Sequence, residues 1–391
     1  MDTVAQTHVL DETVYQYSTL TAVDQLERIT KVVSSGALGA IAGDHVREFE
    51  QQVAGHLSRQ GAIATSSASA ALELLLRCLP QREVAERVVI PEVCWISVPT
   101  AVIRSGRTPV IAPATGDLTP HWEQIEPLLD EGTTAVILAH MRGRPAPDTH
   151  RIADELAQRG VTLIEDCAQA WGATLDKQPV GRHGLAAVFS TETHKLVATG
   201  EGGVIAADDS QLLHAMRAVG GNTRLALPEN AHGRGNDRMS EITAASALPQ
   251  LSHLDDLRQM LRPLQEELVN RLQNVPAARS VLPTLLGASP NLGADASNGS
   301  LVGVWLPTSR HASRVADQLF RSGVRHWWPG PGDPHLAENW PSTPTAATGG
   351  AVDLACYLDI QVPVLDEPRH PAFLDLITSA LRLDEDESET A

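Results

Sequence analysis

Short apolar runs and amphipathic stretches alternate along the first two thirds of the chain. Runs at 88–90, 109–112, 135–138, 161–164, 186–189 and 203–206 are rich in Val, Ile, Leu and Ala and bounded by polar residues, Gly or Pro. That is the pattern of short strands buried on both faces. Between them, 44–57, 70–78, 121–129 and 148–158 read as helices. The alternation predicts an α/β fold, a mostly parallel sheet covered on both faces. Ligands of such sheets gather at the carboxyl ends of the strands, so residues just after these runs are the candidates for chemistry.

The pattern changes after about residue 253. A long helical stretch at 254–272 leads into a Gly/Ala/Ser/Asn-rich loop at 287–300. A strand (301–306), a helix (311–322), a Pro/Gly-rich segment (329–350), a strand (354–360) and a last helix (371–383) follow. Two domains are expected: a large α/β domain over 1–252 with an N-terminal arm at 1–35, and a smaller α+β domain over 253–391. Residues 384–391 form an acidic tail.

Composition narrows the function. The 391 residues suffice for a large core, and 48 acidic against 30 basic residues give a net charge of −18. A general nucleic-acid binder needs a basic face, so none is expected. No apolar stretch reaches membrane-spanning length, and residues 1–13 show neither the basic nor the apolar region of a signal peptide. The four cysteines are far apart and form no CxxC, so neither a metal site nor a disulfide framework is expected; a reducing cytoplasm fits. Among the 30 basic residues only Lys31, Lys177 and Lys195 are lysines. The abundance of Ala, Arg and Gly suggests a GC-rich genome, which accounts for that scarcity. Chemistry needing an amine therefore has three candidates.

The strand at 161–164 ends in Glu165-Asp166-Cys167-Ala168-Gln169, and the run at 186–189 continues into Ser190-Thr191-Glu192-Thr193-His194-Lys195. Gly200-Glu201-Gly202-Gly203 comes next. Taken singly, a strand-end Asp is most often a cap and a Lys most often solvated. Together, a carboxylate and a lysine on neighbouring strand ends are what pyridoxal phosphate needs: an amine to join its aldehyde and an anion to keep its pyridine nitrogen protonated.

Further segments share one known pattern. Ala37-Leu38-Gly39 through Glu48-Phe49-Glu50, Ser67-Ala68-Ser69-Ala70-Ala71-Leu72, Pro91 to Trp95, the IEDCAQAWGA run, FSTETHK, GEGG, and Gly235-Asn236-Asp237-Arg238-Met239-Ser240-Glu241 with Gln250-Leu251 occur in order. In that order and spacing the chain resembles the DegT/DnrJ/EryC1/StrS family of pyridoxal-phosphate sugar and cyclitol aminotransferases, over about residues 36–251. The resemblance implies the aspartate-aminotransferase-like fold type I. It implies Lys195 and Asp166 as the catalytic pair. Trp95 would stack on the ring, Gln169 would meet its phenolic oxygen, and Ser67, Ala68, Ser69 and Ser190 would hold the phosphate. Asn236 resembles the asparagine that reaches the neighbouring subunit's phosphate, which implies a homodimer with shared sites. Lys31 lies before the matched region and Lys177 in a turn-like segment. The family's dehydratases have histidine where Lys195 stands, so the lysine favours transamination. An amino-acid donor, glutamine or glutamate, and a keto-sugar or keto-cyclitol acceptor follow by resemblance, in a secondary-metabolite setting.

The departures lie where substrates would sit. Arg142 in His140-Met141-Arg142-Gly143 replaces an aromatic common in the family. Thr191-Glu192 resembles the inosose aminotransferases, a pointer toward cyclitols. Trp327 and Trp328 stand where the family often has a substrate segment. Arg142, His194, Arg238 and Trp327 are thus candidate substrate contacts, with a paired arginine or core tryptophans as the alternatives. Three other readings compete: an elimination or aromatising enzyme resembling the aminohydroxybenzoate synthases, a non-catalytic cofactor-binding regulator, and a nucleotide-dependent oxidoreductase. The last lacks a GxGxxG after the early strands.

Overall fold

Seven strands build the central sheet: β1 (Gly61–Thr65), β2 (Arg87–Pro91), β3 (Thr108–Ala112), β4 (Thr133–Ala139), β5 (Thr162–Asp166), and, after a small β6–β7 hairpin (Thr174–Leu175, Gln178–Pro179), β8 (Ala186–Ser190) and β9 (Gly203–Ala207). The computed structural model describes residues 12–80, 85–222, 224–228, 233–275, 279–280, 296–329 and 354–382. Sheet order is β1-β9-β8-β5-β4-β2-β3. Five strands run parallel, from β3 to β8, and β9 runs antiparallel to both β8 and β1. The six expected strands are all present. The missing one was β1, whose sequence GAIAT is built largely of Gly and Ala, poor strand formers, and so gives no local signal.

Successive side chains of each strand enter opposite layers. Val88 and Ile90, Ala135 and Ile137, and Ile164 pack under α3 (Ala68–Cys78) and α4 (Ser97–Arg104), with α7 (Ser210–Val219) beside them. On the other face, Val89, Val136, Leu138 and Leu163 pack on α5 (Trp122–Ile125) and α6 (Thr149–Gln158). Ala62, Ala64, Val204 and Ala206 pack near α2 (His45–Leu57) and α8 (Glu241–Ser252). The helix expected at 121–129 is one turn of α-helix followed by a 3-10 turn, Glu126–Leu128, because Pro127 cannot donate the next backbone bond.

A second, antiparallel sheet has the order β10-β11-β13-β12: β10 (Arg279–Ser280), β11 (Leu301–Trp305), β12 (His326–Trp327) and β13 (Tyr357–Gln361). Residues of α9 (Leu254–Leu272), α10 (Ser309–Arg321) and α11 (His370–Ala380) share its core. The strand expected at 354–360 begins as a 3-10 turn and pairs only from Tyr357. The last helix ends at Ala380 rather than 383. Most of the segments at 287–300 and 329–350, and the tail at 384–391, lie outside the described residues. The N-terminal arm, with α1 (Ala22–Ser35), crosses to this second sheet: the Tyr17 hydroxyl donates to the Val362 carbonyl at 2.5 Å, and Val364 N to Val14 O at 2.9 Å. Among the described residues no helix is long and apolar enough to cross a membrane.

Candidate active site

A cavity of about 830 Å³ opens where β4, β5 and β8 end, roofed by residues of the small sheet and the arm. Lys195, Asp166, Gln169, Trp95, Ser67, Ala68, Ser69 and Ser190 all line it, as do Arg142, His194 and Trp327. Asn236 and Arg238 do not. They border a separate surface groove with residues 39–42, Met239 and Ser240, and Arg238 Nε donates to Asn236 Oδ1 at 3.1 Å.

Lys195 follows β8 by five residues, in a loop fixed from beyond the sheet. Gln250 accepts from Ala198 N and donates to Ala198 O, both at 2.8 Å. The nearest carboxylate to the amine is Glu192, at 3.8 Å. Burial pulls the Lys195 pKa down; Glu192 opposes this and Arg142 adds to it. Asp166, the last residue of β5, shows the converse. Burial pushes its carboxyl up, against the Ala168 N–H and the charge of Lys195. Ala168 N donates to Oδ1 at 3.0 Å, and Oδ2 has no hydrogen-bond partner among the described residues. That oxygen can receive a ring N–H.

At the other end stands α3. Ser67 caps it, its Oγ accepting from Ala70 N at 3.1 Å, while Ala71 N bonds Ser67 O. The N–H groups of Ala68 and Ser69 are left unpaired among the described residues, an anion site at a helix N-terminus. Gly203 makes room for it. A Cβ there would lie 2.4 Å from Ala68 N and 2.5 Å from the Ser67 carbonyl carbon. Ser190 Oγ, from β8, accepts from Glu192 N at 3.2 Å and keeps its own proton to donate. A cradle of backbone donors, an amine of lowered pKa and a carboxylate with one open oxygen together fit pyridoxal phosphate. Trp95 is 46% exposed at the cavity mouth and offers a ring face.

Behind these residues lies a buried brace. His140 Nε2 meets Glu165 Oε2 at 2.9 Å, and His140 Nδ1 accepts from Ala146 N. The backbone N–H groups of Gly181, His183 and Gly184 complete the Glu165 carboxylate. Burial opposes the charge on Glu165, but these partners outweigh it and hold its pKa at about 2. His140, Glu165 and Cys167 bring ligand-type atoms within 4.8 Å. Both imidazole nitrogens and both carboxylate oxygens are already engaged, and burial pushes the Cys167 thiol well up, so the cluster reads as a brace rather than a metal site.

The small sheet supplies what sequence reasoning missed. Gln361, Arg325 and Ser300 line the cavity, with Tyr17 from the arm. Arg325 Nη1 lies 3.4 Å from His194 Nδ1. Asp359, buried in β13, approaches Arg142 at 2.9 Å, and Trp327 stacks beneath the same guanidinium at 3.8 Å. An Asp in the apolar run YLDIQ was the available signal, since a lone charge in a buried strand needs a partner.

Residues 20–289 match the model of the DegT/DnrJ/EryC1/StrS aminotransferase family. The L-glutamine:scyllo-inosose aminotransferase of Streptomyces griseus is 31% identical over 244 residues, 59% of this chain and 57% of that protein. The chain thus spans less than two thirds of that relative's length. The DesI structure, solved in the presence of its TDP-sugar product, superposes with a TM-score of 0.79 at 25% identity, over 94% of this chain and 92% of that one. The GDP-4-keto-6-deoxy-D-mannose-3-dehydratase of E. coli, solved with bound hydrated PLP, has the same fold: TM-score 0.76, 19% identity, 92% and 96% covered.

Proposed function

The chain belongs to the DegT/DnrJ/EryC1/StrS aminotransferase family, and on that premise we propose that it moves an amino group from L-glutamine or L-glutamate to a keto-sugar or keto-cyclitol, using pyridoxal phosphate. The observation that carries this is one cavity holding the Lys195 amine, the Asp166 carboxylate and the bare N-terminus of α3. The Streptomyces griseus relative acts on a keto-cyclitol with glutamine, and DesI was solved with a nucleotide sugar. Both support the substrate class.

When bound, the cofactor supplies an aldehyde and an electron-accepting ring. The chain's residues do the rest. Ala68 N, Ser69 N and the Ser190 hydroxyl would hold the phosphate, and Gln169 would meet the ring's oxygen. Asp166 would accept the ring N–H through its open Oδ2 and keep that nitrogen protonated. Burial lowers the pKa of Lys195 Nζ and so favours its neutral, proton-accepting form more than in an exposed lysine. Lys195 would take the proton from the donor's α-carbon and, in the second half-reaction, give a proton to the acceptor's former carbonyl carbon, which then bears the new amino group.

Asn236 and Arg238 lie outside their own subunit's cavity, which fits a homodimer in which they complete the partner subunit's site. Exposed Val23, Leu26 and Val33 on α1, Leu38 and Ile242 give such an interface apolar surface. Four free cysteines fit a reducing cytoplasm. The test is amine formation by the reconstituted protein from each donor with inosose and nucleotide-ketosugar acceptors, in wild type and Lys195→Ala. Turnover that persists in Lys195→Ala overturns the assignment. Mixing Lys195→Ala with Asn236→Ala subunits tests shared sites: activity above either parent is expected.

A further inference from the structure

Arg142 is built to meet something the described residues do not supply. It follows β4 in a left-handed conformation, φ +57°, and Gly143 continues at φ +71°. Such backbone is unusual for a residue with a side chain and persists only where the surroundings fix it. Here they do: Arg142 N donates to Gln169 Oε1 at 2.9 Å, and Asn298 N to Gly143 O at 2.9 Å. The side chain, 8% exposed, lines the cavity between Asp359 and the Trp327 face. Asp359 meets Nε, and its other oxygen accepts the Tyr357 hydroxyl at 2.6 Å. Among the described residues neither Nη of Arg142 has a hydrogen-bond partner, and Nη2 is fully buried.

Buried Arg144 stands beside the same Tyr357 hydroxyl at 3.4 Å and feels the charges of both Asp359 and Asp117, while Arg142 meets Asp359 directly. Unmade hydrogen bonds on a buried guanidinium are unfavourable, and a carboxylate or phosphate oxygen in the cavity supplies a charge-assisted partner to Nη1. The charge of Arg142 is felt at Lys195, so an anion bound there lies close to the reacting amine.

We infer that Arg142 is the substrate-anion anchor of this site, its accessible Nη1 donating to an oxygen of a carboxylate or phosphate group so that the neighbouring carbon faces Lys195; the identity of that anion as a substrate rests on the aminotransferase reading. The carboxylate belongs to the amino donor and the phosphate to an acceptor, and the experiment separates them. Asp359 competes for the guanidinium, while Trp327 holds its plane.

The test uses the cofactor-loaded protein and calorimetric titration with glutarate and with inorganic phosphate, beside donor and acceptor kinetics. Arg142→Ala is expected to weaken glutarate or phosphate by about tenfold, the loss of one charge-assisted contact. It raises the KM of the matching substrate by a similar factor and changes kcat less. Arg142→Lys recovers part of the affinity, and Asp359→Asn tightens the anion, an effect a merely structural ion pair does not produce. Loss on the donor side assigns the carboxylate, loss on the acceptor side the phosphate, and either supports the anchor. Titrations and both KM values within twofold of wild type in a folded Arg142→Ala overturn it. If that variant does not fold, Arg142→Lys and Asp359→Asn decide: opposite shifts support the anchor, and no shift in either overturns it. If the wild type transaminates nothing, the functional reading fails, while Arg142-dependent titration still judges the anchor.

Discussion

Gly203→Ala is the substitution whose effect follows most directly from geometry. Gly203 pairs with Thr65 on one side and Ser190 on the other, so its backbone cannot retreat without opening two ladders. The new methyl would stand 2.4 Å from Ala68 N, 2.5 Å from Ser67 C and 2.7 Å from Ala68 Cα, where ordinary contact begins at 3.4 Å. All three neighbours are backbone at the start of α3, so no side chain can swing aside. The helix start must move by about 1 Å, a strain of ~1–3 kcal/mol in cofactor-free protein. The same shift draws the Ala68 and Ser69 N–H groups off a bound phosphate. Losing one charge-assisted bond of ~1.5–3 kcal/mol weakens the cofactor by roughly 10- to 100-fold. Denaturant unfolding of the cofactor-free protein reads the first effect and pyridoxal phosphate titration the second. Unchanged values in both would refute the cradle.

Gly55→Ala is the matched control: in α2, with nothing within 4 Å of its new methyl, it is expected to raise unfolding stability by ~0.5–1 kcal/mol and leave cofactor affinity alone. Glu165→Gln puts an amide where both oxygens accept, so the bonds from Gly181 N and His140 fail; a loss of ~3–5 kcal/mol by denaturant unfolding is expected. A Glu165 pKa held near 2 contributes stability that is fully present above the unfolded carboxyl range and is lost as pH falls from there toward 2. The wild-type acid unfolding curve is therefore steeper across that window than that of the variant. Glu192→Gln removes the carboxylate that raises the Lys195 pKa, so that pKa falls further; the pH profile of Lys195 modification in cofactor-free protein moves to lower pH, and an alkaline move would contradict the pairing.

Strands β2, β3, β4, β5, β8 and β9 were legible because each is a continuous apolar run buried on two faces, a pattern that needs no tertiary partner to be seen; the two-residue strands of the β6–β7 hairpin carry no such run. Strand β1 was not, since its burial is imposed by pairing with β9 rather than by its Gly/Ala sequence. Asp166 was legible because it ends such a run, and Lys195 because it follows one by five residues in a chain with only three lysines. Several matched motif residues turn out to hold the frame instead. Glu241 accepts from the N–H groups of His45 and Val46 and caps α2, Glu50 accepts from Ala64 N and pairs with Arg217, and Gln250 pins the loop after Lys195. Apart from Trp327, the cavity wall from the small sheet was hidden. Asp359 and Arg325 meet Arg142 and His194 across long stretches of chain, and only the fold brings them together.

The arm that carries Tyr17 has a consequence for how the protein is made. Tyr17 bonds Val362, 345 residues later, and both Tyr17 and Gln361 face the cavity. During synthesis at ~5–20 residues per second, the arm therefore waits roughly 20–70 s for its partner strand. Through that interval the parallel sheet and the start of α3 can form while the cavity stays open on one side. The last wall of the site closes only when the distal strand docks, so binding competence is a late event in folding rather than a property of the first domain to emerge.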